Sequence, residues 1–125
     1  MQKRTTLSNS DWMVLEALWD QPMILAELIL RMERETGWNK STTATVIRRL
    51  IDKGLVGYTT KGRTKTYYPL LQRDDACARE AAYLLQRAYG GSISRLVRSL
   101  ARRRQLTGDE ITALREVLRE AEEHR

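Results

Sequence analysis

Between residues 39 and 69 the apolar residues change their period, and no other feature of the chain constrains its fold as much. Val46, Ile47, Leu50 and Ile51 recur at helical spacing. Gly54 stops that helix. Residues 55–60 and 65–70 then read as two short strands, rich in β-branched and aromatic side chains, around the hairpin turn Lys61-Gly62-Arg63-Thr64. Thr42, Thr45 and Arg49 recur on the outward face of the helix, with Ser41 and Arg48 beside them. A solvated face would normally carry Glu and Lys. Short hydroxyls and forked guanidinium groups are instead the side chains that reach phosphates and base edges. Seven Lys/Arg and one acid, Asp52, fall between residues 39 and 68, a balance of +6 that equals the net charge of the whole chain.

The residues before this stretch supply a scaffold. Residues 1–7 read as a loose basic arm. Ser8 stands three residues before Asp11, a capping box with Asp where Glu or Gln is usual. Trp12, Leu15 and Trp19, with Val14 and Leu18, form one apolar helix face that ends near Gln21-Pro22. At that spacing the two tryptophans read as core rather than as a platform for stacked bases. Ile24, Leu25, Leu28, Ile29 and Met32 repeat the helical period, and Glu27–Arg31 and Arg31–Glu35 are i,i+4 pairs on the wet face. Thr36-Gly37 ends the second helix. Asn39 caps the third, with Ser41 as the alternative cap. Three short-connected helices, the third basic, followed by a hairpin, spell a winged helix-turn-helix over residues 1–72.

Residues 73–125 differ in character. An Ala-rich helical pattern runs from 73 to 89, with Asp74 and Asp75 at its start. Gly90-Gly91 breaks it. Ser92 caps a short helix with Ile93, Leu96, Val97 and Leu100 on one face and Arg95 and Arg98 on the other. Arg102-Arg103-Arg104 reads as a solvated face, or a counterpart to the acidic last helix, before it reads as a phosphate site. Thr107 with Glu110 is a capping box for the last helix, whose stripe is Ile111, Leu114, Val117 and Leu118; its end, 120–125, reads as frayed. Three short helices with apolar stripes and nothing to cover them point to a second copy, ahead of the alternative that they pack back onto the winged helix within one chain. The expected interface uses Tyr83, Leu84, Ile93, Leu96, Val97, Leu100, Ile111, Leu114 and Leu118, and buries about 2,000 Å² or more. The fold class is therefore mostly α with a small β-hairpin wing, followed by a three-helix dimerisation domain.

The single Cys77 leaves no intrachain disulfide and no Cys-rich metal site, which suits a reducing cytoplasm. No apolar run approaches the ~18 residues of a membrane span, so no membrane insertion is expected. No phosphate loop, metal-ligand cluster or nucleophile–base pair is present, so neither an enzyme nor a cofactor is expected. No excess of buried polar residues marks a ligand pocket. The rival to a DNA-binding reading is a winged-helix interaction module whose basic face meets an acidic protein.

The chain resembles the penicillinase and methicillin-resistance repressor family, with its copper-responsive relatives. The anchors are Leu7-Ser8-x-x-Asp11-Trp12-x-Val14 with Leu18-Trp19; Trp38 followed by Thr42, Thr45, Arg49-Leu50 and Lys53-Gly54; Tyr67-Tyr68; Gly90-Gly91 with Leu96-Val97; and Leu106-Thr107-x-Asp109-Glu110-Ile111-x-x-Leu114-Arg115. The resemblance implies a dimeric transcriptional repressor of resistance genes on a palindromic double-stranded DNA operator. It also implies release by a regulatory protease that cuts the fifth helix, at the positions matching Ser99-Leu100 here, where the family has Asn-Phe. The cysteine cluster of the copper branch is absent. The family's Ser-Pro-Lys-Thr is Asn39-Lys40-Ser41-Thr42, and its long polar side chain two places on is Ala44. The expected DNA contacts are Arg48 and Arg49 to phosphate or guanine, Lys40, Ser41, Thr42 and Thr45 to base edges or backbone, and Lys61, Arg63 and Lys65 to backbone beside or within the minor groove.

Overall fold

The computed structural model describes residues 7–125, so the basic arm, apart from Leu7, lies outside the described residues. The elements run α1 (Asn9–Asp20), β1 (Met23–Ile24), α2 (Leu25–Thr36), α3 (Lys40–Asp52), β2 (Val56–Lys61), β3 (Thr64–Pro69), α4 (Arg73–Tyr89), α5 (Ile93–Arg102) and α6 (Gly108–Glu123). The chain divides into two compact units after Glu80, inside α4, whereas the sequence put the boundary at 72/73. The first turn of α4 has its own ties to the N-terminal unit. Ala76 is buried in that core, Arg73 Nη1 sits 3.0 Å from both Glu16 carboxylate oxygens, and its guanidinium stacks over Trp19.

In the first unit three helices pack on a three-stranded antiparallel sheet of order β1-β3-β2. The apolar stripes of the helices meet in one core: Val14, Leu15 and Leu18 from α1, Leu28 and Met32 from α2, Val46, Ile47 and Leu50 from α3. Tyr67 of β3 closes it from the sheet side. Each fully buried Leu contributes on the order of 1.5–3 kcal/mol. Trp12 and Trp19 pack edge to face at 5.6 Å against this core, and Trp19 Nε1 donates to Leu71 O at 2.8 Å. They are core, as their spacing implied.

Local sequence accounts for most boundaries. Ser8 Oγ accepts from Asp11 N and Asp11 Oδ2 accepts from Ser8 N, both at 3.1 Å, completing the capping box at α1. Asn39, not Ser41, caps α3 by accepting from Thr42 N at 2.8 Å. β2 and β3 join through Gly62 and Arg63, and Gly62 takes φ 64° while Arg63 does not go positive. Glycine at the first loop position with positive φ is the pattern of a II′ turn, whose twist suits a hairpin.

Three local readings are revised. Ile24 was expected in the second helix but belongs to β1, paired with Thr66, and its N–H donates to Glu27 Oε1 at 3.1 Å. Arg31 pairs with Glu35 at 3.0 Å as expected. Its other partner is Asp20 at 2.6 Å, not Glu27, whose carboxylate is engaged at the helix start. The end expected to fray from 120 on is helical to Glu123, and Arg119 bridges Glu116 and Glu123 there.

The second unit contains the later part of α4, then α5 and α6. None of the residues from 81 to 125 is buried. Ile93, Val117 and Leu118 are each more than half exposed, while Tyr83, Leu96, Val97, Leu100 and Leu114 are half-buried, and Leu84 and Ile111 are exposed. Ser92 and Thr107 cap α5 and α6 by accepting from Arg95 N and Glu110 N. The return bond that would complete the box at Thr107 is not made among the described residues. No helix of the described residues is long and apolar enough to cross a membrane.

Candidate nucleic-acid interface

α3 presents two faces because its apolar residues share one side. Thr43, Val46, Ile47 and Leu50 are buried, while Lys40, Ser41, Thr42, Thr45 and Arg48 are exposed. No carboxylate occurs between Lys40 and Ile51. The two outward threonines are internally oriented: Thr42 Oγ1 donates to Asn39 Oδ1 at 3.0 Å, and Thr45 Oγ1 donates to Ser41 O at 2.9 Å. With those protons committed, each side chain offers solvent an acceptor oxygen and a methyl group.

Arg49 differs from the outward placement its spacing suggested. Its Nε and Nη2 donate to Asp11 Oδ1 at 3.2 and 2.9 Å, and Nη2 also reaches Ser8 Oγ at 3.3 Å. Lys53 Nζ donates to the other Asp11 oxygen at 2.9 Å. Asp11 is fully buried, while the Arg49 and Lys53 side chains are 41% and 29% exposed. One buried carboxylate at the start of α1 therefore holds two cations of α3 and its cap in register. Burial pushes the Asp11 carboxyl up. Hydrogen bonds from Lys53, the Ser8 backbone and Arg49, with the Lys53 charge, outweigh that push and bring it below the usual aspartate value. Arg49 thus uses one edge as a strut, and its Nη1 makes no hydrogen bond among the described residues.

Sequence spacing alone missed this cluster. Asp11 lies 38 positions from Arg49 and 42 from Lys53, beyond any helical or strand period. Its signal was an Asp within an otherwise apolar helix stripe. Thr43 was missed in another way. It sits at helical spacing with Val46, Ile47 and Leu50, so periodicity places it inward even though its chemistry matches the outward threonines. Its hydroxyl is buried and has no partner among the described residues.

The hairpin supplies the second basic element. Lys61, Arg63 and Lys65 are all exposed, within the turn or at its flanks. Lys65 Nζ lies 4.6 Å from the centroid of the Tyr58 ring, a cation–π contact that steadies it. Gly57, paired with Tyr68, lets that ring approach closely: a Cβ there would lie 3.1 Å from its atoms.

The profile of the penicillinase repressor family matches residues 7–120. The chain is 29% identical over 121 residues to the penicillinase repressor of Bacillus licheniformis, covering 96% of this chain and 94% of that protein. It is 26% identical over 117 residues to the methicillin resistance regulatory protein MecI of Staphylococcus aureus (strain N315), covering 93% and 95%. The solution structure of the DNA-binding domain of the repressor BlaI superposes with a TM-score of 0.53 at 26% identity, over 60% of this chain and 93% of that one. The monomeric form of B. licheniformis BlaI in complex with the blaP half-operator gives 0.52 at 26% identity, with the same coverage. The family is one of repressors, not of enzymes. A profile match that runs from α1 into α6, over a winged helix whose third helix and wing are basic, assigns the chain to the penicillinase repressor family.

Proposed function

We propose that this protein is a transcriptional repressor that binds a palindromic double-stranded DNA operator as a homodimer, with α3 in the major groove and the β2–β3 wing on the flanking backbone. The carrying observation is the exposed face of α3, with hydroxyls and cations and no carboxylate over its first three turns, beside a wing tip with three more cations. The BlaI chain solved on its half-operator shares this fold, which supports the reading. The relatives' names support an operator of antibiotic-resistance genes.

The geometry supports a role for each residue in this reading. Thr42 and Thr45 offer acceptors to base amino groups and methyls to thymine. Lys40, Ser41 and Arg48 flank them toward phosphate or guanine. Arg49, held along one edge, keeps Nη1 for a phosphate and is poorly placed for a bidentate grip on guanine. Lys61, Arg63 and Lys65 take the backbone beside or within the minor groove. Two copies of α3 would lie ~34 Å apart, one helical turn of DNA.

The dimer reading rests on a second unit with no buried residue of its own and with stripes on α5 and α6 left open. Release by a regulatory protease at Ser99-Leu100 would cut α5 in its last turn and part Ile93, Leu96 and Val97 from the α6 stripe. Both residues are half-buried in a helix, so α5 must open locally before cleavage.

Binding of a double-stranded fragment from the protein's own promoter, followed by fluorescence anisotropy against a shuffled fragment, tests the reading. Preference for the promoter, weakened by Arg48→Ala and by Lys61→Ala, is expected. Absence of binding to either fragment at low salt would favour an acidic protein partner instead. Sedimentation should give a dimer for the full chain and a monomer for Leu96→Asp. A dimeric Leu96→Asp would move the interface elsewhere.

A further inference from the structure

α5 has a second face that the repressor reading does not use. Ile93, Leu96, Val97 and Leu100 recur on one side, and Arg95, Arg98, Ser99 and Arg102 recur at the same spacing on the opposite side. This second face, with Tyr89 at the end of α4 and Arg103 at the α5 C-cap, lines an open concavity of about 450 Å³. That volume falls within the range of small-molecule sites, about 300–1,000 Å³. The lining holds four guanidinium groups and no carboxylate.

These arginines are left unneutralised. None of the four makes an ion pair among the described residues, whereas Arg31, Arg49, Arg73 and Arg119 all do. Arg95 is also folded back: its Nη1 lies 3.6 Å from the Cβ position of Gly90, over the turn between α4 and α5. Four like charges around one concavity repel each other, and an anion relieves that repulsion.

We propose that this concavity is a binding site for a small molecule bearing two or more linked phosphates. Arg98 and Arg102 stand about one helical turn, ~5.4 Å, apart along α5. Each offers a planar fork that can hold a phosphate through two N–H bonds. Arg95 and Arg103 flank them, Ser99 adds a hydroxyl between them, and Tyr89 borders the site with its ring. Four cations match the charge of a diphosphate or triphosphate group better than that of a single carboxylate. If the apolar stripe of α5 is the dimer contact, as proposed above, the arginine face points away from that contact.

Calorimetric titration of the full chain with inorganic pyrophosphate at about 0.15 M salt tests the proposal. One saturable site per chain is expected, with at least ten-fold weaker binding by Arg98→Gln/Arg102→Gln. Gln keeps a helix-forming side chain at these exposed positions, and an unchanged circular dichroism spectrum verifies the fold. Lys61→Gln/Arg63→Gln in the wing should bind pyrophosphate as the parent does. No saturable binding by the parent, undiminished binding by the α5 variant, or equal loss in the wing variant would each overturn the site. A DNA backbone offers the same phosphate chemistry, so a second arm measures promoter-fragment affinity without pyrophosphate. The α5 variant should match the parent there; a ten-fold loss would assign these arginines to DNA and overturn the small-ligand site.

Discussion

Asp11→Asn tests how α3 is held. The substitution keeps the shape and one oxygen that can still accept from Ser8 N, but removes the charge shared by Arg49 and Lys53. Breaking a buried ion pair typically costs about 3–5 kcal/mol when a charge is left buried and unpaired. Here the buried member is the one neutralised, and the partners, 41% and 29% exposed, can turn to water. The expected loss is therefore smaller, about 2–3 kcal/mol. At roughly 4–8 °C per kcal/mol for a unit of this size, the melting temperature should fall by about 10–20 °C. Urea unfolding followed by tryptophan fluorescence reads the unit directly, since Trp12, Trp19 and Trp38 all lie in it. The pH dependence carries a sign. Because the folded carboxyl sits below its ordinary value, its stabilisation is fully present above about pH 4 and is lost as pH falls through the lowered folded value. The gap between parent and variant should be constant from pH 5 to 8 and close toward acid. A loss below ~0.5 kcal/mol at neutral pH, far under the range for a broken buried pair, would refute the strut. So would a gap that widens toward acid. Arg49→Gln combined with Asp11→Asn should cost clearly less than the sum of the two, because both remove the same contact.

Two further substitutions test the core and the wing. Thr43→Val should leave stability unchanged or raise it by about 1 kcal/mol, since the buried hydroxyl it removes has no partner among the described residues; thermal unfolding measures this, and a clear loss would mean that the hydroxyl is satisfied. Gly57→Ala should lower stability by about 1–3 kcal/mol and shift the Tyr68 resonances, because its Cβ would press on that ring at 3.1 Å; unchanged spectra would show that the sheet relaxes without strain.

Much of the fold was legible because its signals are local. The capping box at Ser8 and Asp11, the Asn39 cap, the Gly62 turn and the limits of the fourth helix each depend on residues within a turn or two of one another. β1 was not legible: two residues carry no period, and only pairing with Tyr67 and Thr66 makes them a strand. The partner of Arg31 was misread because Asp20, eleven positions away, competes better than Glu27, which already accepts from Ile24 N. The candidate interface was legible in its outline, since apolar spacing on α3 leaves Thr42, Thr45 and Arg48 outside. The role of Arg49 was not, because a buried acid on a distant helix decides which way its guanidinium turns.

The most direct measurement on the central claim is the salt dependence of promoter-palindrome binding at known stoichiometry. Each chain offers six cations at the proposed interface: Lys40, Arg48, Arg49, Lys61, Arg63 and Lys65. If half of the twelve in a dimer neutralise phosphates, log K should fall against log salt with a slope of about −5. That slope is expected, with two chains bound per palindrome. A flat salt response, or saturation at one chain per palindrome, would contradict it.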